Sequence, residues 1–347
     1  MTLAKGDLLG SLVTKAQDAR VPLEVLIEVT HRCNLPCVHC YLPAGNKALE
    51  LTLPELCEIF DQLAAAGTIF LTLTGGEVMS RRDFLDVLDA AAARRFVIKV
   101  LTNATLVTDE AADRFLAAGV MDASISIYGA TAEVHDEVTG MPGSFVKTMA
   151  GIDRLRARGI HVTLKTPMLT VNGRAAKEVL TWSEAENVPC TFDMAMTPKN
   201  DGDRGPLALQ LAHGTMVDLL STAPFKDTLG ARDLTGPGPE PCNAGRAYCA
   251  IGPTGDVSPC VMMPVVLGNL RERSFADIWG TSAFLERLRA LTPDDLPTCR
   301  GCAVKGACTR CPGIAMRHGQ DVTGCDPSGK AVARARKSAR LRILGPT

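Results

Sequence analysis

The first 200 residues alternate between short apolar runs and longer segments in which apolar residues recur every three or four positions. The short runs predict buried strands, and the longer segments predict amphipathic helices. Strands are predicted at 23–29, 69–74, 97–102, 121–127, 161–168 and 190–196. Helices are predicted at 53–66, 81–94, 109–118, 145–158 and 174–186. This alternation predicts an α/β fold with a parallel sheet. Because six strands are too few to close an eight-stranded barrel, we expect a partial (β/α)6 barrel.

A distinctive residue or short segment follows each of the first three predicted strands. A run with three cysteines, 33–40, follows the first strand, Gly75–Glu77 follows the second, and Asn103 follows the third. The carboxyl ends of parallel strands meet at one edge of the sheet, where ligands bind in open α/β folds. We therefore expect these segments to form one site.

Composition narrows the class of protein. Of the 347 residues, 46% are hydrophobic but only 4% aromatic, which is typical of a parallel sheet covered by helices. The chain has no apolar run of the ~18 residues that a membrane span needs, and residues 1–20 are too charged for a signal peptide. A formal charge of -1 gives no support to nucleic-acid binding. Thirteen cysteines in such a chain indicate metal ligands and a reducing cytoplasm rather than disulfides.

Three of those cysteines, Cys33, Cys37 and Cys40, lie in the run CNLPCVHCY. Three thiolates can hold three irons of a four-iron cluster and leave the fourth iron open to a small ligand, whereas four thiolates close every iron. The alternative is a zinc loop, which normally needs a fourth ligand near by. His39 is poorly placed for that role, because it lies between two of the cysteines.

The C-x3-C-x2-C run with its following aromatic residue, together with a Gly-Gly-Glu at the end of the second strand, resembles the radical S-adenosylmethionine superfamily over about residues 21–197. The resemblance implies that the open iron binds the amino and carboxylate groups of S-adenosylmethionine. Reductive cleavage would then give a 5'-deoxyadenosyl radical that abstracts hydrogen from a substrate. A low-potential donor such as flavodoxin or ferredoxin would supply the electron. The cofactors provide this chemistry, and the protein positions them.

The resemblance also implies roles for residues beside the cluster. Tyr41 matches the aromatic residue on which the adenine packs, although it could equally be a core tyrosine. Gly75 and Gly76 would let the backbone approach the ligand without a Cβ in the way. Glu77 would accept the ligand ammonium group or cap the next helix.

The partner of the ligand carboxylate is less clear. Similar proteins place polar groups near the ribose and carboxylate at the positions of Asn103 and Ser126, which could instead cap helices. Related sequences often carry an arginine where this chain has Thr139. Lys165 on the fifth strand is the substitute cation that we expect, unless it only extends to solvent.

Eight further cysteines lie in the last third of the chain, in a pattern that resembles the SPASM extension of peptide-modifying radical S-adenosylmethionine enzymes. The resemblance implies two auxiliary four-iron clusters, for three in all. One would be held by Cys242, Cys249, Cys260 and Cys311, and the other by Cys299, Cys302, Cys308 and Cys325. The stretch GPTGDVSPC resembles the β-hairpin of that extension. The alternative is a pair of structural zinc ions.

We therefore divide the chain into five parts. They are an N-terminal helix or extension at 1–20, the partial barrel at 21–197, a bridging segment and linker at 198–235, the SPASM domain at 236–330, and a basic tail at 331–347. The tail has no acidic residue and could dock an acidic peptide, but we expect a solvated helix.

Three functions fit the sequence. The first is radical modification of a ribosomally made peptide by crosslinking, epimerisation or oxidation. The second is the same chemistry on a small metabolite such as a sugar, and the third is a zinc-stabilised interaction protein without catalysis. Val261 follows Cys260 where sulfatase-maturing relatives carry an aspartate base, which argues against that activity. About twenty residues precede the first predicted strand, so we expect a separate leader-binding protein or a small or leaderless substrate.

Overall fold

The computed structural model describes residues 8–42, 49–228 and 242–344. Its centre is one sheet of nine strands in the order β6-β5-β4-β3-β2-β1-β7-β8-β9. The strands are β1 Glu24–Thr30, β2 Phe70–Gly75, β3 Val97–Thr102, β4 Asp122–Ser126, β5 Val162–Pro167, β6 Cys190–Asp193, β7 Tyr248–Ile251, β8 Asp256–Ser258 and β9 Gly268–Asn269. Strands β1 to β6 pair in parallel with their neighbours in chain order, which confirms the predicted partial (β/α)6 arrangement.

The helices of the described residues cover the sheet and the C-terminal region. They are α1 Leu8–Asp18, α2 Leu53–Ala65, α3 Phe84–Ala93, α4 Asp109–Ala117, α5 Ala132–Thr139, α6 Ser144–Ala157, α7 Ala176–Ala185, α8 His213–Ser221, α9 Phe225–Thr228, α10 Phe275–Thr281, α11 Ala283–Ala290, α12 Pro297–Arg300, α13 Pro312–Arg317 and α14 Pro327–Leu344. Short 3-10 helices occur at Val78–Ser80, Gly205–Leu209, Pro293–Asp295 and Lys305–Ala307. Helix α2 begins with a capping box, in which the Thr52 side chain and Glu55 each satisfy the other's backbone N–H.

Two predicted boundaries are wrong for identifiable reasons. Helix α3 begins at Phe84 rather than at Arg81, because the Arg81 side chain is buried and bonds the carbonyl oxygen of Val29 at 3.0 Å. Strand β6 ends at Asp193 rather than at Met196, where the Asp193 carboxylate accepts the N–H of Ala195 at 2.8 Å and turns the chain. The sequence analysis also missed helix α5 and helices α8 to α13.

The two faces of the parallel strands differ in character. One face packs a continuous apolar core against the helices, with residues such as Val25, Leu73 and Ile98 fully buried. The alternating residues of the other face include Glu28 on β1, Lys99 on β3, Asp122 on β4 and Lys165 on β5. Lys99 pairs with Asp122 at 3.0 Å. The concave side of the partial barrel is therefore polar.

The C-terminal region continues the same sheet. Strand β7 pairs in parallel with β1, and β8 pairs with β7 as an antiparallel hairpin, which confirms the hairpin predicted for this stretch. This pairing places Cys249 on β7 beside Val25 on β1, so a cysteine of the C-terminal set belongs to the central sheet.

The basic C-terminal segment is not a solvated tail. Helix α14 buries Val332, Ala335 and Ala339 against an apolar cluster that includes Phe225. Phe225, within the predicted bridging segment and linker, is fully buried. The end of that predicted segment, 229–235, and the first residues of the predicted SPASM domain, 236–241, lie outside the described residues.

Candidate functional site

The loop with the three cysteines, which we call the cysteine loop (residues 31–41), is held at its start by the glycine pair. The N–H of Gly76 donates to the carbonyl oxygen of Thr30 at 2.8 Å, and the N–H of Glu77 donates to that of Arg32 at 2.9 Å. A Cβ on Gly75 would overlap the Thr30 carbonyl oxygen, and one on Gly76 would lie 2.5 Å from the Arg32 oxygen. The sequence analysis expected these glycines to admit a ligand; in the structure they admit the backbone of the cysteine loop.

Glu77 links the ends of β2 and β3. It is 1% exposed, and its carboxylate accepts hydrogen bonds from Thr102 Oγ1 at 2.7 Å, the Asn103 N–H at 2.6 Å and the Met79 N–H at 3.1 Å. Burial raises the pKa of Glu77, and these donors oppose that rise. Of the two expected roles, capping is the one that the geometry provides. Three of about four acceptor positions on the carboxylate are taken.

Asn103 contacts the cysteine loop through its side chain. Its Nδ2 donates to Asn34 Oδ1 at 3.0 Å, and its Oδ1 accepts from the Thr105 N–H at 2.9 Å. The side chain predicted to lie near the ribose therefore ties strand β3 to the loop.

The sequence analysis missed Tyr128, which follows β4 and packs against the cysteine loop. It is buried, its ring packs edge-on against His39 at 5.0 Å, and its hydroxyl group lies near Ser126 and the Cys37 thiol, both of which affect its pKa. Its N–H donates to His135 Nδ1 at 3.3 Å. Ser126, predicted near the ligand carboxylate, therefore lies on the same side of the sheet as the cysteine loop. The only signal in the sequence was a tyrosine two residues beyond the strand end.

The three thiols of the loop lie close enough to one another to interact. The pKa of Cys37 is raised to about 12 by burial and by its neighbours Cys33 and Cys40. The Cys33 sulfur also accepts the N–H of Leu35 at 3.4 Å. Burial and mutual repulsion disfavour three thiolates side by side, whereas metal coordination deprotonates such thiols outright. This donor set therefore fits an iron–sulfur cluster with three cysteine ligands.

Tyr41 and His39 lie near the C-terminal end of the cysteine loop. The Tyr41 hydroxyl donates to Glu28 Oε1 at 2.7 Å, and Glu28 Oε2 lies 3.2 Å from His31 Nε2. His39 Nδ1 is buried with no hydrogen-bond partner in the described part of the chain, and burial lowers the pKa of His39 to about 4. A neutral, unpartnered ring nitrogen beside Cys40 leaves a polar atom available to a bound ligand.

Lys165 lies opposite Ser126 in the register of β4 and β5, on the polar face of the sheet. Burial and the nearby Lys99 lower the pKa of Lys165, while Asp122 and Asp193 raise it. Thr139, at the position where the resemblance implied an arginine, is buried and bonds Ser144 at 2.7 Å. Lys165 is therefore a cation on the polar face of the sheet, where we expect S-adenosylmethionine, but it already lies near the carboxylates of Asp122 and Asp193.

The eight C-terminal cysteines form two spatial groups. In the first, which we call the inner site, Cys260 interacts electrostatically with Cys242, Cys249 and Cys311. In the second, the outer site, Cys308 interacts with Cys299, Cys302 and Cys325. These two groups have the same members as the two ligand sets expected from the sequence.

In the parts of the chain that the structure describes, no group of three or more His, Cys, Asp or Glu side chains is arranged to bind a single metal ion. A four-iron cluster attaches its cysteines to different irons, so its ligands are spread more widely than those of one ion.

A cavity of about 480 Å³ lies between the carboxyl ends of β5 and β6 and the C-terminal region. His39 and Tyr41 border it on one side, and Cys311 of the inner site borders it on the other. Its lining is mainly apolar, from Phe192, Met194, Ala195, Met196, Met262, Ile314 and Val332, with the charged groups of Asp193, Asp326 and Arg336. The cysteine loop and the inner site thus face one shared space.

Comparisons with known proteins agree with this geometry. A family model of the radical SAM superfamily matches residues 27–182, and a model of an iron–sulfur cluster-binding domain, SPASM, matches residues 242–303. The AdoMet-dependent heme synthase of Methanosarcina barkeri is 30% identical over 326 residues, covering 84% of this chain and 91% of that protein. The mycofactocin maturase MftC of Mycobacterium tuberculosis is 29% identical over 349 residues, covering 92% and 88%.

The fold also matches a solved structure, Streptococcus suis SuiB bound to its precursor peptide SuiA. The TM-score is 0.68 at 13% identity, covering 93% of this chain and 80% of that one. At this identity the likeness shows a shared fold.

Fold and site together define an iron–sulfur enzyme that uses S-adenosylmethionine. The chain belongs to the radical S-adenosylmethionine superfamily and carries a SPASM domain at its C-terminal side. In the described segments, no helix is both long and apolar enough to cross a membrane.

Proposed function

We propose that this enzyme modifies a ribosomally made peptide by abstracting hydrogen from it, with crosslinking, epimerisation or oxidation as the outcome. The observation that carries the proposal is the shared cavity, which borders both the cysteine loop and the inner site. A substrate held there lies between the place where a radical is generated and a second redox centre. That arrangement suits reactions in which loss of a hydrogen atom is followed by loss of an electron.

The cluster ligands follow from the three groups of thiols. We assign Cys33, Cys37 and Cys40 to the cluster that binds S-adenosylmethionine, and the inner and outer sites to two auxiliary four-iron clusters. When bound, the first cluster and S-adenosylmethionine supply the 5'-deoxyadenosyl radical. Tyr41 and Ser126 are the side chains that we place beside S-adenosylmethionine, while Gly75, Gly76, Glu77 and Asn103 hold the cysteine loop in position.

The cavity wall suggests how a substrate is held. Its apolar lining accommodates an aliphatic or aromatic side chain, and this surface is typical of ligand pockets of about 300–1,000 Å³. Asp193 at the end of β6 and Arg336 on α14 place opposite charges in the same wall. A peptide segment offers both apolar side chains and polar backbone groups to such a wall.

Two relatives support the peptide proposal. MftC is named as a maturase, and SuiB was solved with a precursor peptide bound. Because reductive cleavage needs an electron and thiolate ligands need a reducing compartment, we also propose a low-potential donor such as flavodoxin or ferredoxin and a cytoplasmic location. Either a separate leader-binding protein or a small or leaderless substrate stays a prediction.

A small metabolite is the second candidate. The observation that favours it is the 30% identity to an AdoMet-dependent heme synthase over 84% of the chain. The cavity is also large enough to enclose a compact small molecule.

The test is anaerobic turnover with dithionite, S-adenosylmethionine and the short peptide encoded beside this gene, if one is present. We expect 5'-deoxyadenosine and a peptide changed in mass or, in deuterated water, in isotope content. The variant lacking Cys33, Cys37 and Cys40 is the control and should give neither product. Cleavage of S-adenosylmethionine that is stimulated by a small metabolite but not by any peptide would favour the second candidate.

A further inference from the structure

The inner site contains a cation that the cluster assignment does not use. Arg317 is the last residue of α13, a helix that begins beside Cys311. Its Nε donates to the carbonyl oxygen of Met262 at 2.8 Å, and its Nη2 donates to that of Val261 at 2.9 Å. Met262 and Val261 directly follow Cys260. Arg317 therefore joins the segments that carry two cysteines of the same site.

The packing between these two segments is unusually close. A Cβ on Gly313, in the first turn of α13, would lie 2.7 Å from the carbonyl carbon and oxygen of Met262. The Cys260 sulfur accepts the N–H of Met262 at 3.5 Å, and the Cys311 sulfur accepts that of Ile314 at 3.4 Å. Glycine at this position thus brings the two sulfurs and the guanidinium group into one small volume.

The third nitrogen of the guanidinium group lacks a hydrogen-bond partner among the residues that the structure describes. Arg317 Nη1 is buried and makes no hydrogen bond to any described residue. An arginine stays charged at every ordinary pH, and a buried donor without a partner is costly. The groups that act on its charge are Tyr41, Glu28, Cys260 and Cys311. Two of these are ligands of the inner site, and the other two form the hydrogen-bonded pair beside the cysteine loop.

We propose that Arg317 is a positioning residue that donates a hydrogen bond through Nη1 to the cluster of the inner site and raises its reduction potential. The inference rests on the cluster assignment of the proposed function and adds a redox role to it. Arg317 is not among the described residues that line the cavity, so the cluster, rather than a substrate, is the partner that we assign to Nη1.

The physical reason is the charge of the reduced cluster. Reduction adds one electron and no proton, so a cluster with four thiolates gains one negative charge. A fixed cation with an N–H directed at the cluster stabilises that charge, and hydrogen bonds to the sulfurs are a recognised determinant of iron–sulfur potentials. Removal of the cation should therefore favour the oxidised cluster.

The test is a redox titration of the anaerobic holoenzyme, followed by electron paramagnetic resonance. In Arg317→Gln, the reduction equilibrium of one auxiliary cluster should weaken by about ten- to a hundredfold, the range for one charge-assisted hydrogen bond. For a one-electron couple this is a midpoint lower by about 59 mV for each tenfold. The iron content and the cluster of the cysteine loop should stay as in the wild type.

Lys330→Met is the matched control, because Lys330 acts on Cys325 of the outer site. It should leave unchanged the component that Arg317→Gln shifts. If both variants move the same component, or if Arg317→Gln retains all iron and moves none, the proposal is wrong.

Arg317→Lys covers the case in which Arg317→Gln loses iron. Lysine keeps the charge but cannot bond two carbonyl oxygens and the cluster together, so we expect full iron and a smaller shift. Loss of iron in both variants, or an unchanged midpoint in a fully loaded Arg317→Lys, means that Arg317 is only a structural link. Iron content of the wild type tests the cluster assignment separately.

Discussion

The inner and outer sites each contain four cysteine thiols, but the two sets lie in different surroundings. The inner site includes Cys249, which is fully buried on a strand of the central sheet. Another of its members, Cys311, borders the cavity. Its sulfurs accept backbone N–H groups, and Arg317 lies beside them.

The outer site is built from short helices and turns rather than from the sheet. All four of its cysteines are partly exposed, and the recess that they share is also lined by Lys305, Arg310 and Lys330. Arg310 is fixed there by a bond from Nε to the Gly324 carbonyl oxygen at 2.9 Å.

The difference indicates two tasks for one kind of cofactor. The inner site can exchange an electron with a substrate in the cavity, whereas the outer site presents a basic rim to solvent. A basic rim attracts acidic proteins through long-range electrostatics, and flavodoxins and ferredoxins are the donors proposed above. We therefore expect the inner site to govern product formation and the outer site to govern electron exchange with a partner protein.

The largest effect should come from removing the ligands of the cysteine loop. Replacing Cys33, Cys37 and Cys40 together by alanine should abolish reductive formation of 5'-deoxyadenosine, because no thiolate remains to hold the first cluster. Both C-terminal sites should keep their iron, which is about two thirds of the total if all three clusters hold four irons. Assays for 5'-deoxyadenosine and for iron test this directly. Undiminished cleavage in this variant would refute the assignment of the first cluster.

The next prediction compares one ligand from each C-terminal site. Cys249→Ala should abolish product formation even with dithionite as the reductant, because Cys311 of the inner site borders the cavity and no outer-site cysteine is among the described residues that line it. Cys325→Ala should keep product formation with dithionite and lose it mainly with a protein donor. In both variants, cleavage of S-adenosylmethionine should continue. Equal loss of product in the two variants would show that the sites do not differ in task.

The sequence predicted the parts of this arrangement that depend on local patterns. Five of the six barrel strands lie within a residue or two of their predicted bounds, since each is a short apolar run between more polar segments. The cysteine spacing predicted the loop, and the resemblance to the SPASM extension implied the members of the two C-terminal groups. These signals need no knowledge of distant contacts.

What the sequence could not give depends on long-range contacts. Nothing near Cys249 indicates that β7 pairs with β1, more than 200 residues earlier in the chain. The role of Glu77 depends on donors from β3, and that of Tyr128 depends on the position of His39. In α14 the buried positions, apart from Val332, are small residues within a basic run, so the apolar face was too weak a signal beside the charge.

The space around two glycines, one at each C-terminal site, shows that the inner site is packed more tightly than the outer site. A Cβ on Gly313 would meet the Met262 backbone at 2.7 Å, whereas one on Gly301, between two outer-site cysteines, would meet nothing within 4 Å. Gly313→Ala should therefore destabilise the holoenzyme by about 1–3 kcal/mol, as overpacking against backbone does. Gly301→Ala should leave stability unchanged. Anaerobic urea unfolding measures both, and an equal response would contradict the tighter construction of the inner site.

The smallest effect concerns Lys165, a cation that lies in the barrel rather than at either C-terminal site. The carboxylate of S-adenosylmethionine needs a charged or multiple partner when it leaves water, and Thr139 cannot supply the charge. Lys165 faces the polar side of the sheet beside Ser126, but Asp122 and Asp193 already act on it. To bind the ligand carboxylate, Lys165 must give up its interactions with these two aspartates, which reduces its net contribution to binding. Lys165→Met should therefore weaken binding of S-adenosylmethionine by about tenfold, the lower end for a charge-assisted hydrogen bond. Equilibrium binding of S-adenosylmethionine to the variant provides the measurement, with unchanged iron as the control. A dissociation constant that stays at the wild-type value would assign Lys165 to the carboxylates of the sheet and leave ligand binding to Ser126 and the backbone.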